Sequence, residues 1–79
     1  MSDIVEGDVV RRRIGEGSKS ERDAVMIDTG DATFVLRRRG GNAFADPQLD
    51  GLVGRRARLE GTSMSATFVV DRWELLDQV

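Results

Sequence analysis

The basic residues of this 79-residue chain have the best claim to chemistry, and five of them fall in "RRRIGEGSKSERDA", Arg11 to Ala24. Within it, "GEGSKS" has the ingredients of a phosphate-cradling loop: small residues that leave backbone N–H groups open and a lysine to reach the ligand. The spacing fails. Such a loop needs Gly-x-x-x-x-Gly-Lys-Ser/Thr, whereas Ser18 precedes Lys19 and Arg13 occupies the other glycine position. The following "SERDAVMI" leads into a strand, not a long helix, and the chain is too short for a doubly wound sheet. The loop therefore reads as a solvated connection in which Glu16, Glu21 and Asp23 slightly outweigh Lys19 and Arg22.

Other reactive constellations are equally thin. The chain has no cysteine and no histidine, which removes the thiol nucleophile, the imidazole base, disulfides and thiolate metal ligands. Asp46 and Asp50 stand at i, i+4, but Asp46 precedes Pro47 and is better explained as a helix N-cap than as half of a metal site. The remaining acids scatter over turns and strand ends. No catalytic residue, metal or cofactor is expected, and the chain reads as non-enzymatic.

The composition suits one small folded domain spanning residues 1–79. Its apolar share of 39% is too high for a disordered tail, and its nine glycines imply frequent turns. The N-terminal "MSDIVEGD" lacks the basic and apolar regions of a secretory signal. No stretch approaches the roughly 20 apolar residues of a membrane-spanning helix, so a cytoplasmic protein without membrane association is expected. Net charge is −2, yet eleven arginines stand against one lysine, and the arginines cluster.

The elements that position these clusters follow from periodicity. Residues 4–14, "IVEGDVVRRRI", form a long β-branched strand in which Gly7 marks a bulge or coil point, because the apolar positions change parity after it. "AVMID" and "ATFVLRRR" flank "TGD", a hairpin signal, with Phe34 and Leu36 on one face of the later strand. Asp46 and Pro47 then open a short helix whose Leu49, Leu52 and Val53 make one apolar stripe. "RRARLEG" alternates as a fourth strand, "GTSMS" reads as a polar turn, and "ATFVVDRWELL" closes the chain as a fifth strand. There are no repeats and no linker.

Five strands with a helix between the third and fourth is the plan of the OB-fold, a five-stranded Greek-key barrel. The long glycine-bearing first strand, the hairpin "DTGDATF" and the run "LDGLVGRRARLEG" carry the resemblance, over roughly residues 4–76. The chain is also similar to small stand-alone bacterial OB-like proteins. The resemblance implies an all-β, five-stranded OB-like Greek-key barrel with one short helix between strands 3 and 4. It supplies no functional residues. An SH3-like barrel, the rival, places its short 3₁₀ turn before the last strand, which the helix signal does not fit.

On that plan the first strand runs up, the second down, the third up and the fourth down. Arg11, Arg12 and Arg13 end the first strand, Arg37, Arg38 and Arg39 end the third, and Arg55, Arg56 and Arg58 begin the fourth. All three clusters then gather at one end, beside "GEGSKSERD", while acids concentrate elsewhere. A local field of this kind steers polyanions despite a negative net charge. The competing reading pairs each strand arginine with an acid on a neighbouring strand. Stacking platforms for bases are few: Phe34 and Phe68 belong to the core, Phe44 plugs an end, and Trp73 falls out of phase with Phe68 unless a bulge intervenes, so that it covers the bottom of the barrel or is partly exposed.

The expected function is a binding module for a polyanion such as single-stranded nucleic acid, held by Arg11, Arg13, Lys19, Arg37, Arg39, Arg56 and Arg58. The alternative is a protein-interaction or assembly module that uses a sheet edge or exposed Met26, Val35 and Met64.

Overall fold

A computed structural model describes residues 2–19, 21–40 and 46–77. It contains β1 (Asp3–Ile14), β2 (Arg22–Asp28), β3 (Thr33–Arg38), α1 (Pro47–Asp50), β4 (Arg56–Met64) and β5 (Thr67–Leu75). The strands close into a barrel in the order β1-β2-β3-β5-β4, with β4 returning to β1. Every pairing is antiparallel except β3 with β5, which is parallel. Among the described residues, the fold is the all-β, five-stranded barrel expected from the sequence, with one short helix between the third and fourth strands.

The long first strand is what allows closure. Its first half, Asp3 to Asp8, pairs with β4, and its second half, Asp8 to Ile14, pairs with β2. Gly7 sits just before the handover. The expected parity change does not occur there: both registers run without a shift, and Val5, Gly7 and Val9 share the inward face. The glycine serves close approach instead, since a Cβ at Gly7 would lie 2.1 Å from the Asp28 carbonyl oxygen. No side chain fits there.

The bulge lies in β5. Gly61 opposes Val70 while Glu60 opposes Arg72, so Asp71 is the extra residue. This resets the phase: Phe68 and Val70 point inward before the bulge, and Trp73 and Leu75 pack against the core after it. Gly61 allows the two strands to meet, because a Cβ there would come 1.9 Å from the Val69 carbonyl oxygen. The run "GTSMS" is consequently strand and not turn. β4 continues to Met64, and the connection shrinks to Ser65 and Ala66, with Ser65 at a φ of 57°.

The core is small: Val9, Ile27, Leu36, Ala57, Leu59, Phe68 and Val70 line the interior, and Leu49 and Leu52 from the helical segment cover it. Phe34 meets Phe68 edge-on with ring centroids 6.2 Å apart, as their shared phase predicts. The helix starts where expected. Asp46 caps it by accepting from the Gln48 backbone N–H at 3.0 Å, and Pro47 follows. The "DTGDAT" hairpin also forms: Asp28 opposes Thr33, Gly30 takes a φ of 92°, and its N–H donates to the Asp28 carboxylate. Phe44, expected to plug an end, lies outside the described residues. Among the described residues, no helix is long and apolar enough to cross a membrane.

Candidate functional site: an arginine-bearing cleft beside α1

The topology sends the ends of β1 and β3 and the start of β4 in the same direction, as the sequence implies. It does not leave their arginines alike. Arg56 and Arg58 lie on the outer face of β1, β4 and β5, each locked into a cross-strand ladder. Arg56 stands opposite Asp8 and contacts it at 3.5 Å. Arg58 stands between Glu6 on β1 and Glu74 on β5, at 2.9 and 3.5 Å. One row further along, Glu60 opposes Arg72 at 3.4 Å. Directly opposed unlike charges are the pairing that stabilises neighbouring strands, so the charges of this face are matched across the sheet.

The β1–β2 arm is similarly compensated. Arg11 reaches across to Asp50 of α1 at 3.0 Å, Arg12 donates to Asp28 at 3.2 Å, and Arg13 contacts Glu21 at 2.9 Å and Asp23 at 3.7 Å. Glu21 also accepts from the Gly17 N–H at 3.2 Å, so one backbone donor of this connection is already bonded to an acid. Lys19 at its tip and Arg37 on β3 are exposed and have no ion-pair partner among the described residues.

The third group differs because it opens on a concave surface. A cleft of about 370 Å³ is lined by Arg38 and Arg39 at the end of β3, Gln48 of α1, and Val70, Asp71, Arg72 and Trp73 around the β5 bulge. β3 pairs with β5 only through Val70, so β5 continues past its parallel neighbour and its second half forms the cleft wall. Trp73, the single tryptophan, is half-buried: it packs against the core and also borders this cleft and an adjacent one of about 250 Å³ beside Ile4, Arg58 and Glu74. The bulge restores its inward phase, and it is partly exposed, one of the two placements expected from the sequence.

Ion pairs order the cleft. Arg38 Nε donates to Asp46 at 2.8 Å, and the Asp46 side chain is only 4% exposed. Burial alone pushes that carboxyl up, but the Arg38 hydrogen bond and the backbone N–H groups of Gln48 and Leu49 outweigh it and hold the carboxyl below its ordinary value. Arg39 donates to Asp71 at the bulge and to the Thr62 hydroxyl at 3.3 Å. The Asp71 hydrogen bond and charge raise the already high Arg39 value, so this guanidinium is a permanent cation. Its side chain is 60% exposed and that of Arg72 is 77% exposed, so both are open to a ligand.

Of the expected binding residues, then, the structure brings Arg39 into a cleft and leaves Arg37 exposed on the same strand. It places Arg11 and Arg13 in the β1–β2 arm, Lys19 at the loop tip, and Arg56 and Arg58 in the outer ladder. The sequence reading missed Arg38, Arg72, Gln48 and Trp73 as cleft residues. The β5 bulge that joins them had one signal, the phase break between Phe68 and Trp73. Among the described residues no group of three or more acidic side chains is placed to hold a metal.

The fold and cleft define a class: a small closed β-barrel with a guanidinium-bearing groove lined by its helix, the end of the third strand and the bulge of the last. No protein-family model matches the chain, and no curated protein or solved structure shows significant similarity to it.

Proposed function

We propose that this chain is an OB-like, non-enzymatic binding module for a polyanion, with single-stranded nucleic acid as the favoured ligand. The strand order, the parallel β3–β5 pair and the helix before β4 support the OB-like reading. The observation that carries the ligand class is the cleft lined by Arg38, Arg39 and Arg72, with Arg37, which has no ion-pair partner among the described residues, on the same strand as Arg38. Arg39 and Arg72 already have acidic partners, but exposed ion pairs contribute only about 0–1 kcal/mol, so a phosphate exchanges for them at little cost. Lys19 at the loop tip adds a cation without an ion-pair partner among the described residues, whereas Arg11, Arg13, Arg56 and Arg58 each stand beside an acid.

Two or three phosphate contacts predict a modest dependence on salt, with log K falling against log salt at a slope of about −1.4 to −2.1 for a single strand. An amide-shift titration with a mixed-sequence single-stranded oligonucleotide, at low salt and at about 0.2 M, tests this. Shifts centred on residues 37–40, 46–48 and 70–73 that fade with salt are expected. The absence of shifts at millimolar oligonucleotide refutes the reading.

A second reading has its own observation. Val10, Met26, Val35, Thr67 and Met64 are successive cross-strand partners around all five strands, a single outward row in which the first four are half-buried and Met64 is exposed. A mostly apolar row of this kind suits a protein partner, whose binding would be insensitive to salt.

A further inference from the structure

We propose that the cleft seats one nucleotide unit of a single strand, with the base against the Trp73 indole, its polar edge within reach of the Gln48 amide, and the phosphate toward Arg39 and Arg72. This rests on the polyanion reading and narrows it from charge to structure. A plain polyanion needs guanidiniums only. The cleft adds the chain's single indole, a side-chain amide able to donate and accept, and a volume of about 370 Å³, the scale of small-ligand pockets. An indole beside cations matches a ligand that joins a flat ring to an anion, and stacking one base contributes about 1–3 kcal/mol.

The acids in the cleft sharpen the choice. Asp46 holds Arg38, so that guanidinium positions the wall and is not free to follow a ligand. Asp71 stays in the cleft as the partner of Arg39. A carboxylate there repels polyphosphate, whose charges follow one another on adjoining phosphates, more than a phosphodiester strand whose charges are spaced apart by sugars. The arrangement therefore favours a nucleotide strand over a stronger polyanion without bases. Recognition is independent of base sequence, because one ring face and one amide discriminate little among bases.

Because Trp73 is the chain's single tryptophan, its fluorescence reports the cleft directly. Three probes are compared by fluorescence and amide shifts: a mixed-sequence single-stranded oligonucleotide, an abasic deoxyribose-phosphate oligomer of equal length, and inorganic polyphosphate. Saturable quenching by the oligonucleotide alone is expected. Gln48→Ala and Arg72→Ala lie outside the core and should each weaken oligonucleotide binding several-fold without altering circular dichroism. Trp73→Leu should weaken it about tenfold or more, the equivalent of about 1.4 kcal/mol. Trp73→Phe, which keeps a ring, should retain part of the binding and covers the case in which the leucine variant does not fold. Equal binding of the oligonucleotide and the abasic oligomer with no change at Trp73 overturns the proposal but leaves the polyanion reading standing. Failure of all three probes to bind overturns both.

Discussion

Arg38 and Asp46 form the most protected ion pair described in the molecule: the guanidinium closes on the carboxylate at 2.8 Å, and the Asp46 side chain is 4% exposed. The same carboxylate caps α1 through the Gln48 N–H at 3.0 Å. One side chain thus joins the end of β3 to the start of the helix and fixes two walls of the cleft. Replacing Asp46 with Ala removes the cap and leaves Arg38 without its partner, so a loss of about 2–4 kcal/mol is expected. Urea unfolding of D46A against the parent measures it, and a change within error of zero refutes the joint role.

Acid should weaken the fold for the same reason. The carboxyls of Asp46, Asp28 and Asp77 are all held below their ordinary value. The Gly30 N–H and Arg12 act on Asp28, Arg55 and the Arg56 N–H act on Asp77, and for Asp46 the hydrogen bonds overcome burial. A depressed folded value means stability that is present above the unfolded value, about pH 4, and is lost as pH falls through the folded value. Thermal midpoints should be flat from pH 5 to 7 as far as these groups contribute, and fall below about pH 4. In D46N the acid-induced fall should be smaller than in the parent.

Gly7 and Gly61 should tolerate no side chain. Alanine at either position drives its Cβ to 2.1 or 1.9 Å from a backbone carbonyl oxygen, so the strands must part. Each substitution is expected to cost more than about 3 kcal/mol or prevent folding. Gly17→Ala is the control: its φ is +77° but the space around it is open, and about 1 kcal/mol is expected. Chemical denaturation of the three variants gives the ordering, and equal effects would refute the close-approach explanation.

Charge reversal should separate the cleft from the ladder. Arg37→Glu and Arg72→Glu place an acid beside the groove and should weaken oligonucleotide binding tenfold or more at low salt, about 1.4 kcal/mol each. Arg58→Ala should leave binding close to that of the parent and cost under about 1 kcal/mol of stability, since its pairs with Glu6 and Glu74 are exposed. Anisotropy titrations and unfolding curves on the same samples distinguish the two roles.

Much of the architecture was legible. The five strands, the "DTGDAT" hairpin, the Asp46–Pro47 helix start and the core phases of Phe34, Leu36 and Phe68 follow from period-two alternation, turn chemistry and capping, all local signals. Local rules failed at Gly7 and in "GTSMS". There the decisive atom belongs to another strand: the Asp28 carbonyl in one case and the Val69 carbonyl in the other. A glycine required by close approach looks, in one dimension, like a glycine required by a turn.

The candidate site was half legible. That arginine clusters share an end of the barrel follows from strand direction, which the order of elements determines. Which arginines a ligand meets depends on partners far apart in the chain, such as Glu6 and Arg58, separated by 52 residues. Sequence by itself determined the barrel, its helix and the supply of guanidiniums, because those depend on residue types and short-range periodicity. Only the tertiary structure decided that Arg56 and Arg58 stand opposite acids in the outer ladder while Arg38, Arg39 and Arg72 line a cleft with Trp73. Strand register and the Asp71 bulge set which charges stand opposite one another, and neither is written in any single segment.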